Sequence, residues 1–430
     1  MKNCRINIDH FVSSRVLFVA LVLMPISVLP AVAHAELSLQ KAEQLASDDP
    51  AVLVSRSRAG ALADQAIADA QLPDPKLTVG VWNVPLDDFS MKKEGSSQFR
   101  TGIKQAFPRG HTLRYQQKRA EWLGKAEGER ARLTENEIRR DVRQAFLELY
   151  YQDRASNIIA QTRNLFRQLV EITRDHYASG RVSQQDVLQA QLELFRLDDR
   201  STKVDEMADV ERAKLMRWIG DAAWQPIDTS FPELPELPSK QVLQAALPRH
   251  PAITLAGAQV EANQQLVRVA REQYKPGFDV GLEYRKRFGN DADGGDRADM
   301  MAAMVTLDLP LFTEKRQDKR LSASQQQAQA AIQTRDLRLR EMQRMLDSDY
   351  ARWQRLGEQE TLYHDHLLQD ASANAEAALH SYQSGINEFN TLMRARITEL
   401  DVTLQDMRIR VDRAKARARL LFLDNEGESE

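Results

Sequence analysis

The feature that most constrains this chain is a segment that occurs twice. It reads DHYASGRVSQQDVLQAQLEL from Asp175 to Leu194, and HSYQSGINEFNTLMRARITEL from His380 to Leu400. At one offset (382 − 177 = 205), the matching residues are Tyr177 with Tyr382, Ser179 with Ser384, Gly180 with Gly385, and Ala190 with Ala395. A glycine that accepts left-handed backbone typically ends a helix, and Ser183 with Asp186 fits a capping box that begins the next one. Each segment therefore predicts the bend of a helical hairpin.

Long helices are predicted to run into and out of both bends. No proline interrupts the chain between Arg109 and about Ala178, and apolar residues recur there with spacings of 4, 3 and 4 at Ile138, Val142, Ala145 and Leu149. A helix of about 68 residues would reach about 100 Å. Its return helix spans Ser183 to about Trp218, and the second pair spans about Thr313–His380 and then continues to about Leu423.

Four runs have the length and composition of β-strands: Lys76–Val84, Gln98–Phe107, Gly277–Phe288 and Ala298–Leu309. In the third run Phe278, Val280, Leu282 and Tyr284 alternate with polar residues, so one face is apolar. Prolines recur at matching places, Pro50 with Pro251 and Pro75 with Pro276 at offset 201, and Pro108 with Pro310 at offset 202. The chain is therefore a tandem repeat of about 200 residues in the order helix, two strands, long helix, bend and return helix.

We predict five regions: a signal peptide over 1–35, a first repeat over 36–220, a proline-bearing linker over 221–239, a second repeat over 240–423 and an acidic tail over 424–430. The first region has basic residues, an apolar run and an Ala33-His34-Ala35 cleavage site. The alternative is an uncleaved membrane anchor. Removing 1–35 (net +2) would change the net charge from −3 to −5, which gives no reason to expect nucleic-acid binding.

The chemistry-bearing motifs of enzymes are missing from the sequence. It has no nucleophile–base arrangement and no phosphate-binding loop, so we predict neither an enzyme nor a cofactor. His364 and His366 are two residues apart and would point away from each other on a helix, so no metal site is predicted there. The methionines Met300, Met301 and Met304 are interpreted as strand residues, although thioethers also suit copper(I). The run from Asn290 to Asp299 lacks the spacing of a calcium loop and is interpreted as an exposed loop.

The four strands cannot close a membrane barrel within one chain. Bacterial barrels have at least about 8 strands, and unpaired strand edges are not tolerated in lipid. Two copies would supply eight strands and fill the interior, whereas three copies would supply twelve and leave a lumen. A small soluble four-stranded sheet is the alternative.

This layout of paired strands and long helical hairpins, repeated twice, resembles the TolC-like outer-membrane efflux proteins. The resemblance covers 36–423 and depends on the doubled Y-x-x-G bend, the paired strands and the prolines at the strand exits. It implies a mainly helical fold with membrane β-structure: a homotrimer with a twelve-stranded barrel in the outer membrane of a Gram-negative bacterium and a helical tunnel in the periplasm. It also implies a periplasmic adaptor, an inner-membrane pump of the RND type, and outer-membrane lipid as partners. YASGRVSQQDVLQAQ and LPDPKLTVG are similar to the heavy-metal branch (cobalt–zinc–cadmium or copper–silver).

The resemblance implies a passive efflux duct, and two departures from the family pattern qualify it. Thr391 and Arg394 stand where members closest to the prototype carry tunnel-lining carboxylates, and Glu36 stands where some relatives carry a lipidated cysteine. A duct for drugs or secreted proteins, and a periplasmic adaptor or other coiled-coil scaffold, are the alternatives. The sequence does not identify the cargo.

The candidate site is the periplasmic gate at the two bends. Its predicted residues are Tyr177, Gly180, Arg181, Asp186, Tyr382, Gly385, Asn387 and Glu388. In an oligomer each charged residue would form a ring, and rings of charge select ions. Asp186 has two open interpretations, because it could also only complete the helix cap with Ser183.

Overall fold

The computed structural model describes residues 36–384, 386 and 388–424; the predicted signal peptide and residues 425–430 lie outside this range. The first half contains α1 (Leu39–Ala46), α2 (Pro50–Asp69), β1 (Lys76–Trp82), β2 (Gln98–Phe107), α3 (Thr112–Ala178) and α4 (Gln184–Ile219). The second half contains α5 (Lys240–Ala246), α6 (Pro251–Glu272), β3 (Gly277–Arg287), β4 (Met300–Asp308), α7 (Gln317–Leu362), α8 (Leu368–Gln383) and α9 (Phe389–Asp424). Short 3₁₀ turns follow α4 and α5, at Gly220–Trp224 and Leu247–Arg249. The order helix, two strands, long helix and return helix therefore occurs twice.

Several element ends differ from the sequence prediction for local reasons. β1 ends at Trp82 rather than Val84, because Asn83 has a φ of +54° and turns the chain out of the strand. The second long helix begins at Gln317 rather than Thr313. There the Thr313 carbonyl accepts hydrogen bonds from the amides of Arg316 and Asp318 in a turn that precedes the helix.

A π-helical turn, which the sequence analysis did not predict, joins α7 to α8 at Tyr363–Leu367. Before this turn, buried apolar residues of α7 match those of α3 at an offset of 204 (346 − 142 = 204 for Leu346 with Val142). After it, the offset is 205, as for Tyr382 with Tyr177. A π turn takes up an extra residue without breaking the helix. It therefore absorbs one inserted residue in the second repeat and keeps the apolar stripe in register.

The four strands form one antiparallel sheet in the order β1-β2-β3-β4. The register places Leu282 opposite Ile103 and Ala303, so the alternating apolar residues of neighbouring strands share one face. That face is exposed, with 72% exposure at both Leu77 and Met301. Its further exposed apolar members are Val79, Val81, Phe278, Val280, Tyr284, Val305 and Leu307.

The opposite face of the sheet is charged. Lys104 pairs with Asp279 at 2.9 Å, and Glu283 contacts Arg285 at 2.5 Å and Arg100 at 3.7 Å. The outer edges of β1 and β4 have no strand partner among the described residues. In the same part of the chain, no helix is both long and apolar enough to cross a bilayer. Each outer edge therefore presents a row of unpaired backbone N–H and C=O groups.

The two halves are joined where α9 packs along α3. Glu148 on α3 lies among basic residues of α9: its two carboxylate oxygens accept hydrogen bonds from Arg408 at 2.7 and 2.8 Å, and Oε2 also accepts one from Lys415. Burial acts to raise the pKa of Glu148, but the hydrogen bonds from Arg408 and Lys415 outweigh it and lower the pKa to about 2. Glu148 is therefore charged at neutral pH and links the first repeat to the second.

A buried histidine caps α6. The Nδ1 atom of His250 accepts a hydrogen bond from the Ala252 amide at 3.2 Å, and its Nε2 atom donates to the Phe422 carbonyl at 3.0 Å. Asp49 caps α2 at the equivalent place in the first repeat (250 − 49 = 201), with the Ala51 amide at 2.7 Å. Burial lowers the pKa of His250 to about 4, although the Phe422 carbonyl acts in the opposite direction. The imidazole is therefore neutral when it ties the start of α6 to the end of α9.

We expect the folded chain to lose stability as the pH falls from about 6.5 to about 4. In this pH range the His250 imidazole is protonated in the unfolded chain but stays neutral in the folded chain. The free energy of unfolding therefore decreases by about 3 kcal/mol as the pH falls. Denaturant unfolding at pH 7 and pH 4 measures this loss. His250→Asn keeps a hydrogen-bond acceptor for the Ala252 amide and does not titrate, so it should lose less stability over the same interval. Equal losses in the two proteins would contradict the assignment to His250.

Candidate functional site

The first bend is a Schellman motif. Gly180 has a φ of +70°, its amide donates to the Tyr177 carbonyl at 2.9 Å, and the Arg181 amide donates to the His176 carbonyl at 2.8 Å. These two bonds satisfy carbonyls that the end of α3 would leave free. A residue with a Cβ would be strained at this φ. Gly180 is therefore needed for the geometry of the turn.

Asp186 completes the cap of α4. Its Oδ2 atom accepts hydrogen bonds from the Ser183 amide at 3.0 Å and the Ser183 hydroxyl at 2.8 Å, and the Asp186 amide donates to Ser183 Oγ at 3.3 Å. The sequence analysis left open whether Asp186 is a cap or a gate residue. The capping box is present, and a cap of this kind contributes about 1 kcal/mol to helix stability.

The second bend repeats a backbone hydrogen bond of the first with different side chains around it. The Ile386 amide donates to the Ser381 carbonyl at 2.9 Å, which is the counterpart of the Arg181–His176 bond (386 − 181 = 205). Glu388 stands at the position of Ser183 and Thr391 at that of Asp186, so the Ser–Asp capping box is not repeated. The predicted site residues Gly385 and Asn387 lie outside the described residues.

The bends lie side by side at one end of a four-helix core. The Tyr382 hydroxyl lies 3.4 Å from His176 Nδ1, and the Tyr382 ring packs edge-on against Phe389 with centroids 5.7 Å apart. Burial raises the pKa of the Tyr382 phenol, so it stays a neutral hydrogen-bonding group. The core beneath contains residues from α3, α4, α8 and α9, including Phe166, Ala190, Ala378 and Met393.

Apart from the glycines and Asn387, the predicted site residues divide into two groups. Tyr382 and Asp186 have defined contacts, within the core and within the cap respectively. Tyr177, Arg181 and Glu388 have exposed side chains at the bends. The two repeats use the matched tyrosines differently, since Tyr382 is half-buried and Tyr177 is 48% exposed.

Two features of this end of the molecule were missed from the sequence. His176 contacts Tyr382, yet nothing in its position before Tyr177 identified it as a contact between repeats. An apolar stripe on α4, formed by Leu188, Leu192 and Phe195, is exposed in the single copy. Their spacing of 4 and 3 residues was visible as helix periodicity, but periodicity does not reveal which helix covers a stripe.

Other candidate sites have structural explanations. A cavity of about 390 Å³ lies between the linker and α9 and is lined by residues such as Phe231, Trp353, Arg410 and Arg413. Glu360 offsets the arginine charges, since it contacts Arg413 at 2.7 Å and Arg410 at 3.9 Å. Within 36–384, 386 and 388–424, no three histidine, cysteine or acidic residues form a group that could hold a metal ion.

Comparison with known protein families finds one match, in the second half of the chain. Residues 242–426 match the sequence profile of the family described as outer membrane efflux protein. The comparison with curated proteins gives no match.

Solved structures share the fold of nearly the whole chain. A membrane protein from Pseudomonas aeruginosa has 16% identity and a TM-score of 0.79, covering 91% of this chain and 92% of that one. VceC, an outer membrane protein of Vibrio cholerae, has 18% identity and a TM-score of 0.76, covering 90% and 96%. CusC, whose structures concern folding and transmembrane channel formation, has 14% identity and a TM-score of 0.76, covering 90% and 92%.

Proposed function

We propose that this chain, which carries an outer membrane efflux protein domain and the TolC-like fold, forms the outer-membrane duct of a tripartite exporter in a Gram-negative bacterium. The observation that carries the proposal is the sheet, with an exposed apolar face, a charged face and two open edges. Three copies would pair the edges into twelve strands, with the apolar face toward lipid and the charged face toward a lumen.

The helices fit the second part of such a duct. α3 has 67 residues and a length of about 100 Å, and the second repeat has a continuous counterpart from α7 through the π turn to α8. Three copies would place six hairpins around one axis below the barrel, with the bends at the far end. A periplasmic adaptor and an inner-membrane pump, of the RND type, would supply the energy and choose the cargo, so the duct itself is passive.

Matched arginine substitutions on β4 test the membrane assignment. Val305 lies on the apolar face and Thr306, the next residue, on the charged face. We expect Val305→Arg to block outer-membrane assembly, because an arginine at the lipid midplane costs about 2–4 kcal/mol. Thr306→Arg should still give a detergent-requiring trimer. The readouts are outer-membrane fractionation and the mass of the purified particle. A soluble monomer, or equal behaviour of the two variants, would contradict the barrel.

We further propose that Arg181 and Glu388 form charged rings at the closed end of the tunnel. Both side chains are exposed at the bends, whereas the Asp186 carboxylate is held by Ser183, which makes Asp186 the weakest gate candidate. In a trimer, pairs between the arginines and carboxylates of neighbouring copies would hold the bends together. The tyrosines and glycines would then set the shape of the bends.

Removing both charges should open the tunnel. We expect Arg181→Gln with Glu388→Gln to raise the single-channel conductance in planar bilayers, because no pairs would hold the bends closed. Arg181→Lys with Glu388→Asp keeps both charges and serves as the control. An intact trimer of the Gln variant with unchanged conductance and ion preference would leave both residues as ordinary surface positions.

For the cargo, we propose heavy-metal cations, since YASGRVSQQDVLQAQ and LPDPKLTVG resemble the heavy-metal branch. Deleting the chain should make cells more sensitive to copper, silver, cobalt, zinc or cadmium salts, and a plasmid copy should restore tolerance. Growth at graded concentrations of each metal and of a panel of drugs measures this. Sensitivity to drugs alone would assign the duct to drug export instead.

A further inference from the structure

We infer that the acidic segment 425–430 of this chain lies along a basic stripe on α3 of the same copy, formed by Arg132, Asn136 and Arg139. The segment itself lies outside the described residues. The inference goes beyond the proposed function, because it concerns how the end of the second repeat is fastened to the first. It depends on neither a membrane nor a pump.

The relative direction of α3 and α9 shows where the chain leads after α9. Glu148 accepts a hydrogen bond from Lys415 (148 + 415 = 563), and the Arg140 guanidinium carbon lies 4.8 Å from the centre of the Phe422 ring (140 + 422 = 562). The two helices are therefore antiparallel, and the numbers of opposing residues have a nearly constant sum. Continued beyond Asp424, where α9 ends, this register places residues 425–430 opposite residues 137–132 of α3 (562 − 425 = 137; 562 − 430 = 132).

The segment is long enough to follow this register. Six residues span about 9 Å as a helix and about 20 Å as an extended chain. The stretch of α3 between residues 138 and 132 rises by about 9 Å. The segment therefore reaches Arg132 in either conformation.

This part of α3 presents a face without acidic residues. Arg132, Asn136, Arg139 and Arg143 are spaced by 4, 3 and 4 residues, so they share one side of the helix. The last three also line a narrow groove beside the end of α9, together with Leu421 and other residues of that helix. The basic stripe thus begins where α9 ends and continues in the direction in which the chain leaves it.

The arginines of the stripe can bind further carboxylates. Arg132 lies 3.4 Å from Glu129, and Arg139 lies 3.8 Å from Glu135, both on α3 itself. Ion pairs of this kind between residues three or four apart on a helix contribute little. A guanidinium also has five N–H donors, which is more than one carboxylate can accept.

The segment carries the opposite charge. Three of its six residues are glutamates, at 426, 428 and 430, and none is basic or apolar. It therefore has no side chain to bury in a core, and charge is its main means of binding. The C-terminal end of a helix has a partial negative charge, so carboxylates directly after α9 are unfavourable unless cations lie nearby. The basic stripe supplies those cations, which makes this segment the occupant that the register and the charges specify.

Cross-linking within one chain tests this placement. Residues 36–430 contain no cysteine, so a pair of cysteines can be introduced without background. Asn136→Cys and Gly427→Cys are combined because position 427 lies opposite 135 (562 − 427 = 135) and because neither change removes a charge. A short thiol-reactive cross-linker is added to the purified protein. We expect a product with the mass of one chain and both thiols consumed.

A matched control places the first cysteine on another side of α3. Thr134→Cys with Gly427→Cys lies at the same height but about 200° around the helix from residue 136. We expect little product from this pair. Equal product from the two pairs would overturn the assignment to the basic stripe, and cross-linked dimers in place of the single-chain product would overturn the docking within one copy.

Charge variants in the Asn136→Cys, Gly427→Cys protein test the source of the binding. Replacing the three glutamates by glutamine should remove most of the product, and so should 1 M salt, because screening weakens exposed ion pairs. Arg132→Glu with Arg139→Glu should also remove it, and lysines at 426, 428 and 430 should restore it in that variant. Full product without the glutamates, or no restoration by the reversed charges, would overturn the ionic contact.

Discussion

The contact between α3 and α9 is the interaction on which the rest of the structure depends. It joins the two repeats, and at its centre the Glu148 carboxylate lies between Arg408 and Lys415. The pKa of about 2 shows that the paired, charged form is strongly favoured. The three side chains are only partly exposed, at 15% for Glu148, 27% for Arg408 and 17% for Lys415, so solvent screens their attraction less than it would at the surface. Glu148 lies near the middle of α3, so the ion pairs connect the two repeats about half-way along the long helix.

The chain contains the same hairpin twice but completes only one of the two contacts that the hairpin can make. α9 packs on α3 within one copy, while the apolar stripe on α4, which is the matching face of the first repeat, is exposed. In the sheet, β2 pairs with β3 between the repeats, and among the described residues the outer edges of β1 and β4 have no strand partner. The contact between repeats that is made once inside the chain therefore leaves one matching helix face and two strand edges uncovered among the described residues.

Matching backbone positions are satisfied by different chemistry in the two repeats. Asp49 caps α2 where His250 caps α6. Glu388 and Thr391 stand at the positions of the Ser183–Asp186 box of α4. The π turn between α7 and α8 likewise absorbs an inserted residue. A helix N-terminus needs a hydrogen-bond acceptor in the right place, and several kinds of side chain can supply it. The apolar face of a helix needs to keep its register, and a local π turn can restore that. The repeats have thus diverged in sequence while keeping one architecture.

The sequence by itself determined the repeat, the helices, the strands and the alternation of the sheet, because these depend on local periodicity and on glycine and proline. It also located the bends and the Ser183–Asp186 cap, which lie within a few residues of each other. Only the tertiary structure decided that Tyr382 is half-buried while Tyr177 is exposed, that His176 contacts Tyr382, and that the stripe on α4 is exposed. These facts depend on which helix lies across from which, and contacts between residues about 200 positions apart leave no periodic trace in a single sequence.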